Sequence, residues 1–119
     1  MDSNTNLQEL KDKVKKFCEE RDWDKYHNAK DLAIGVITEA SELLEKFRFK
    51  SEKEIDEILE SKKQEISEEL ADILYFVLRL AQKYHIDMST ELDKKLAKNE
   101  LKYPINKSKG SNKKYTELK

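Results

Sequence analysis

The sequence predicts an all-α fold, on three observations. Charged residues make up 41% of the 119 positions and hydrophobic ones 37%, a balance that suits helices with one buried and one strongly solvated face. Two glycines and one proline are too few for the tight turns of a β-sandwich. Apolar side chains also recur at helical spacing along most of the chain.

Leu7, Leu10, Val14, Phe17 and Cys18 predict a first helix over about 6–21, with charges between them. The following RDWDKYHNAKD breaks the pattern and reads as a loop. A second helix is expected from about Lys30 to Phe47, with Leu32, Val36, Ala40, Leu43 and Phe47 as its stripe and FRFKS as its end. EKEIDEILE (52–60) reads as a short third helix, and Ser61 is the nearest start signal for the fourth. That fourth helix, the longest, is expected from about Lys63 to His85. It is apolar on nearly every side between Ile73 and Leu80, the pattern of a helix buried all round, so a domain this small is expected to complete its core with a partner chain. Asp87 or Ser89 would cap a last helix reaching about Lys102. Pro104 then stops it, and INKSKGSNKK reads as a mobile, Lys-rich tail. One helical domain, 1–103, is therefore expected before a tail at 104–119.

Composition excludes several classes. Lys plus Arg (24) nearly balance Asp plus Glu (25), so the basic footprint of a nucleic-acid binder is missing. Cys18 stands alone, which leaves no disulfide framework and no Cys-based zinc site. The N-terminus is charged from the start, unlike a signal peptide, and runs such as LAIGVIT (32–38) are too short to span a bilayer. A cytoplasmic protein bound to neither membrane nor nucleic acid is expected.

The chemistry lies in two acidic pairs. Glu39 with Glu42, and Glu69 with Asp72, stand at i, i+3 and so share a helix face. E-x-x-E is common in this Glu-rich chain, but these four border apolar stripes. Neither Glu69 nor Asp72 has a Lys or Arg one turn away. Like charges at that spacing cost an isolated helix roughly 0.2–0.5 kcal/mol per pair, and more when desolvated. Two readings compete. In one, these are solvated faces of a non-enzymatic helical dimerisation module, with Glu42 paired to Lys46. In the other, two antiparallel helices bring four carboxylates around a divalent cation, and an all-oxygen set favours Mg²⁺ or Mn²⁺. A ferritin-like di-iron site would need Glu-x-x-His, whereas Asp24 and Gln82 precede His27 and His85 by three residues. With no Gly-rich phosphate loop, phosphates would be met by the metal and by Lys, Asn and Tyr side chains.

E-x-x-E, 26 residues, then E-x-x-D is similar to the metal-binding signature of the all-α MazG-like nucleoside triphosphate pyrophosphohydrolases. ERDWDKYHNAKDL (20–32), EASELLEKFRFK (39–50), KNELKYP (98–104) and KKYTEL (113–118) resemble the dCTP pyrophosphatase branch, collinearly from about Val14 to Leu118. The resemblance implies a bundle of four to five helices completed by oligomerisation, typically a homotetramer with a dimer as the smaller possibility, and pockets between chains. It implies hydrolysis of a deoxynucleoside triphosphate, dCTP or a modified dCTP first, to the monophosphate and pyrophosphate, as nucleotide-pool cleaning. Glu39, Glu42, Glu69 and Asp72 fall on its Mg²⁺ ligands and catalytic carboxylates. Trp23 matches an aromatic of the base pocket and Asn99 a nucleotide contact. Lys95, Lys102 and Tyr103 are expected phosphate contacts by charge and placement, and Tyr115 would anchor a tail folded over a pocket or a neighbouring subunit.

There are departures. Phe49 stands where a Trp is common, Phe76 where a Tyr is common one turn after Asp72, and Val14 replaces a His. Phe49 and Phe76 are still expected to wall the substrate pocket. Fewer hydrogen-bonding groups around a base relax its discrimination, which leaves a dUTP or broad dNTP pyrophosphatase as the alternative.

Overall fold

The structure, a computed structural model, describes residues 1–118. Its Cα packing divides the chain into two units, Met1–His85 and a second that begins at Ile86. The first holds helices α1 (Leu7–Glu20), α2 (Ala29–Phe47), α3 (Glu52–Ser61) and α4 (Lys63–Lys83). The second holds α5 (Met88–Lys102), the short α6 (Ile105–Ser108) and a 3₁₀ turn at Tyr115–Glu117. The described residues form no strand, so the expected all-α class holds.

Helix starts follow the capping chemistry. Asn6 Oδ1 accepts the Glu9 amide and Asn28 Oδ1 the Asp31 amide, each at 2.8 Å. Ser51 and Glu54 form a reciprocal capping box with both bonds at 3.2 Å. Asp87, rather than Ser89, caps α5 by accepting the Thr90 amide at 3.0 Å. Ser61 does not start α4. Its hydroxyl donates back to the Glu57 carbonyl at 2.8 Å within α3, and Lys62 alone separates the two helices.

The segment expected as a mobile tail contains structure. Pro104, at φ −62, ends α5 and sits at the N-cap of α6, because its ring fixes a φ that also suits a helix start. Tyr115 packs edge-to-face on Tyr103 with centroids 6.1 Å apart, and Lys102 Nζ lies 4.7 Å from the Tyr115 ring centre. Tyr115 thus holds the tail against the end of α5 in its own chain.

In the first unit α2 and α4 form the main packed pair, with α1 on α4 and α3 against both. Cys18, Leu32, Ile66, Leu78 and Ala81 are buried. Cys18 Sγ lies 3.2 Å from the Tyr75 hydroxyl and ties α1 to α4. In the single chain Leu70 and Leu74 of α4 and Ile34, Ile37 and Leu44 of α2 are exposed, so the apolar girth of α4 is only partly covered by its own chain. Arg79, in contrast, is 1% exposed. Its guanidinium donates to His27 Nδ1 at 3.1 Å, to Gln82 Oε1 at 2.7 Å and to Asp24 Oδ1. Lys83 Nζ donates to the carbonyls of Asp24 (2.6 Å) and His27. The loop between α1 and α2, which carries a 3₁₀ turn at Asp24–Tyr26, is therefore pinned onto the end of α4 by two cations.

Candidate metal centre

The α2–α4 register follows from which residues meet. Gly35 faces Phe76, Glu39 approaches Asp72 and Glu69, Glu42 reaches Glu69, and Lys46 meets Glu65. Numbers rise along one helix as they fall along the other, so the pair is antiparallel. Because i, i+3 and i+4 share a face, each helix presents its acids as a ladder to the other.

One carboxylate oxygen each from Glu39, Glu69 and Asp72 lies within 4.8 Å of the others. Glu39 Oε2 and Glu69 Oε2 are buried without a hydrogen-bond partner among the described residues. Buried carboxylate oxygens left unpaired are costly, so such an oxygen points to an ion or water that satisfies it. Burial, a hydrogen bond with Glu42 and the charges of Glu42, Asp72 and Glu69 raise Glu39 from its ordinary 4.5 to about 7. Burial and Glu42 raise Glu69 as well, while Lys46 pulls it down. The cluster therefore tends to keep protons that a divalent cation would replace. Hard, anionic, all-oxygen donors at this spacing fit Mg²⁺ or Mn²⁺.

Lys46 does not pair with Glu42 one turn earlier, as the solvated-face reading has it. Its Nζ lies 3.6 Å from Glu65 Oε2 across the helix pair. A depression of about 550 Å³, with Glu42, Lys46 and Lys50 in its wall, opens beside this end of the ladder.

The aromatic residues continue from the acids. Phe76, one turn past Asp72, lays its ring over Gly35. A Cβ on Gly35 would stand 2.7 Å from Phe76 Cζ and closer still to Cδ1 and Cε1. Phe76 meets Tyr75 edge-on at 5.1 Å, Tyr75 meets Phe17 at 6.2 Å, Phe17 meets Trp23 at 5.7 Å, and Trp23 meets His27 at 5.7 Å. The structure thus joins Trp23 and Phe76 through a row of edge-to-face rings. Phe49 is 90% exposed at the exit of α2, in the left-handed region at φ 62, with the Arg48 guanidinium 4.6 Å from its ring centre. A bulky residue there stores strain of about 1–3 kcal/mol. Lys95, Asn99 and Lys102 lie on α5, and Tyr103 is its C-cap, all in the second unit.

Sequence reasoning missed three features of this region. The Lys46–Glu65 pair connects residues far apart in the chain, and helix spacing favours the wrong partner. Gly35 was visible only as one of two glycines, and its contact with Phe76 needs the α2–α4 register. Arg79 reads as an interruption of an apolar run, although it is the most buried side chain of that stretch.

Gly35→Ala tests the close approach. Ala is the better helix former by about 1 kcal/mol, but forcing a methyl against the ring costs about 1–3 kcal/mol. Net destabilisation of about 1 kcal/mol is expected in thermal or urea melts, together with weaker divalent-cation binding. Adding Phe76→Leu should restore most of the stability, and a stabilised Gly35→Ala single variant would refute the contact.

A family model described as MazG-like matches residues 34–118. The dCTP pyrophosphatase 1 of Rattus norvegicus is 32% identical over 114 residues, covering 94% of this chain and 67% of its own length. That of Homo sapiens is 30% identical over the same shares. Among solved structures, a pyrophosphatase from Archaeoglobus fulgidus DSM 4304 superposes with a TM-score of 0.80 at 39% identity, over 85% of this chain and 94% of the other. Among the described residues no helix is long and apolar enough to cross a membrane.

Proposed function

The chain belongs to the MazG-like family, and from that premise we propose that it hydrolyses dCTP or a modified dCTP to the monophosphate and pyrophosphate with Mg²⁺ as cofactor. The coarser statement, a nucleoside triphosphate pyrophosphohydrolase, rests on relatives named dCTP pyrophosphatase 1 and on the pyrophosphatase neighbour. The observation that carries the metal part of this reading is the pair of buried, unpartnered oxygens on Glu39 and Glu69, beside Asp72. The cytosine base rests on the likeness to relatives named dCTP pyrophosphatase 1.

Glu39, Glu42, Glu69 and Asp72 would hold the cation, which when bound draws in phosphate oxygens and acidifies an attacking water. The chain's own part is placement. The α2–α4 ladder holds the carboxylates together and would present the cation to the α–β anhydride, and Gly35 under Phe76 sets the helix spacing. The Trp23-to-Phe76 row offers flat apolar surface for a base. Phe49, exposed and strained, is assigned to the same pocket wall. Lys95, Asn99, Lys102 and Tyr103 are assigned to the phosphates and the nucleotide by charge, donor chemistry and their likeness to the family's KNELKYP block. Water would add its oxygen to one phosphorus of the α–β anhydride as the bridging P–O bond breaks, its proton passing to a neighbouring carboxylate or to solvent. The monophosphate and pyrophosphate would then separate. A role in cleaning the nucleotide pool fits this chemistry.

A homotetramer, with a dimer as the smaller form, is part of the proposal, because exposed Ile37, Leu44, Leu70 and Leu74 need cover. Light scattering reads it directly.

The test is pyrophosphate release from the four common dNTPs, dUTP and 5-methyl-dCTP, with Mg²⁺ and with EDTA. Release that is fastest with a cytosine base and lost in EDTA is expected. Fastest turnover of dUTP, or equal turnover of all, would replace the cytosine assignment. No turnover of any triphosphate at micromolar enzyme would leave only a non-enzymatic helical module.

A further inference from the structure

The two acidic ladders extend one rung beyond the four candidate ligands. After Glu42 the next residue on that face of α2 is Lys46, and before Glu69 the next on α4 is Glu65. These two form the cross-helix pair at 3.6 Å. The Lys46 side chain is only 20% exposed, so its stem is held between the helices, while its ammonium meets the half-exposed Glu65 carboxylate. The field of the ammonium also reaches Glu69, on the rung before. Two rungs of acids thus end in a third that carries a fixed cation.

Without that cation, Glu65 would stand uncompensated on the rung next to Glu42 and Glu69, and converging acids of this kind are the oxygen donors hard divalent ions take. The depression with Glu42 and Lys46 in its wall opens this end to solvent, so access does not keep an ion out. Like charge does. A divalent ion bound to Glu65 would have to displace an ammonium that is tethered to α2 and present at every metal concentration.

We propose that Lys46, paired with Glu65, takes the place of a second divalent cation and limits the centre to one ion per chain. This rests on the reading of Glu39, Glu42, Glu69 and Asp72 as a metal centre. Lys46 is here a positioning residue: it sets how many ions the ladder accepts and where the bound one sits, toward Glu39 and Asp72.

The test is Mn²⁺ titration of the full chain, with bound ions counted from the loss of the free-ion electron paramagnetic resonance signal. The unaltered chain should bind one Mn²⁺, and Lys46→Gln two. Lys46→Met, which keeps the aliphatic stem, should also bind two, and it serves if Lys46→Gln melts below the assay temperature. Lys46→Arg should stay at one. Lys46→Gln combined with Glu65→Gln should return to one, because the third carboxylate is gone. Two ions in the unaltered chain, or one ion in both Lys46→Gln and Lys46→Met, would overturn the inference and leave the metal centre standing. No Mn²⁺ bound by the unaltered chain would overturn both.

Discussion

Glu69→Gln is expected to abolish turnover while making the metal-free chain more resistant to heat. Gln has nearly the same size and helix propensity as Glu, so the fold has no reason to suffer. What disappears is one negative charge from a cluster in which Glu39 and Glu69 each keep a buried, unpartnered oxygen. Glu69 is also among the charges that push Glu39 up to about 7, so its removal lets the remaining acids ionise at less cost. The same change takes an anionic donor from the cation. Even partners that only orient metal ligands cost about 10–100-fold when lost, and a ligand itself should cost at least about 100-fold in kcat/KM.

The opposite signs are what make the variant informative. In EDTA its melting midpoint should rise above that of the unaltered chain. With Mg²⁺ the unaltered chain should gain midpoint, as a ligand bound by the folded state requires, while Glu69→Gln gains little. Glu68→Gln is the control. Glu68 is exposed and accepts from Gln64 Nε2 at 3.4 Å, so neither activity nor stability should move by more than about 0.5 kcal/mol. Loss of both fold and activity in Glu69→Gln would make that residue a structural partner.

How much of this could be read from sequence depends on how local the cause is. Helix positions were legible because periodicity and caps act within a few residues. Every long helix begins within about two residues of its expected start. Of the caps only Asp87 was read beforehand, while Asn6, Asn28 and Ser51 are seen in the structure. The acidic faces of α2 and α4 were legible for a related reason, since i, i+3 spacing puts each pair on one face and borders it with apolar residues. Of the four acids, Glu39, Glu69 and Asp72 come within 4.8 Å of one another. Contacts between helices were not legible, because a side chain's partner depends on register. Lys46 had Glu42 available one turn away and chose Glu65 instead. Phe76 looked like core or pocket wall and also proves to need a glycine opposite it. In the second unit, Pro104 was read as a stop and is a stop followed by a start.

Arg79 supplies the largest expected effect on stability, and its direction runs against exposure. Arg79 is 1% exposed while the Asp24 side chain is 57% exposed, so the surface residue looks expendable. Removing Asp24, however, leaves the buried guanidinium with only the neutral acceptors His27 and Gln82. Breaking a fully buried pair from one side costs about 3–5 kcal/mol, reduced here by the solvent around Asp24. Removing Arg79 strands no charge, because Asp24 has solvent to turn to. Asp24→Ala should therefore destabilise by about 1–3 kcal/mol, and Arg79→Met by clearly less, in urea melts of the full chain. The reverse order would mean that the pair contributes little. Acidity provides a second readout of the same knot. Arg79 Nε donates to His27 Nδ1, so protonating that nitrogen breaks the bond. Burial and then the Arg79 and Lys83 charges hold His27 below its ordinary 6.5. The folded chain then binds fewer protons than the unfolded one in this range, so the His27 contribution is full above 6.5 and lost as pH falls toward the depressed value. Asp24, lowered chiefly by its hydrogen bond from Arg79, loses its contribution only as pH falls below 3.8. These two contributions are thus lost in turn on acidification. Against them runs an opposite gain from Glu39 and Glu69, whose raised values favour the folded chain as pH falls from about 7 toward 4.5. The two steps are therefore read as the difference between the unaltered chain and a variant. His27→Asn, whose Oδ1 replaces Nδ1 as an acceptor without taking a proton, should remove the first step and leave the second.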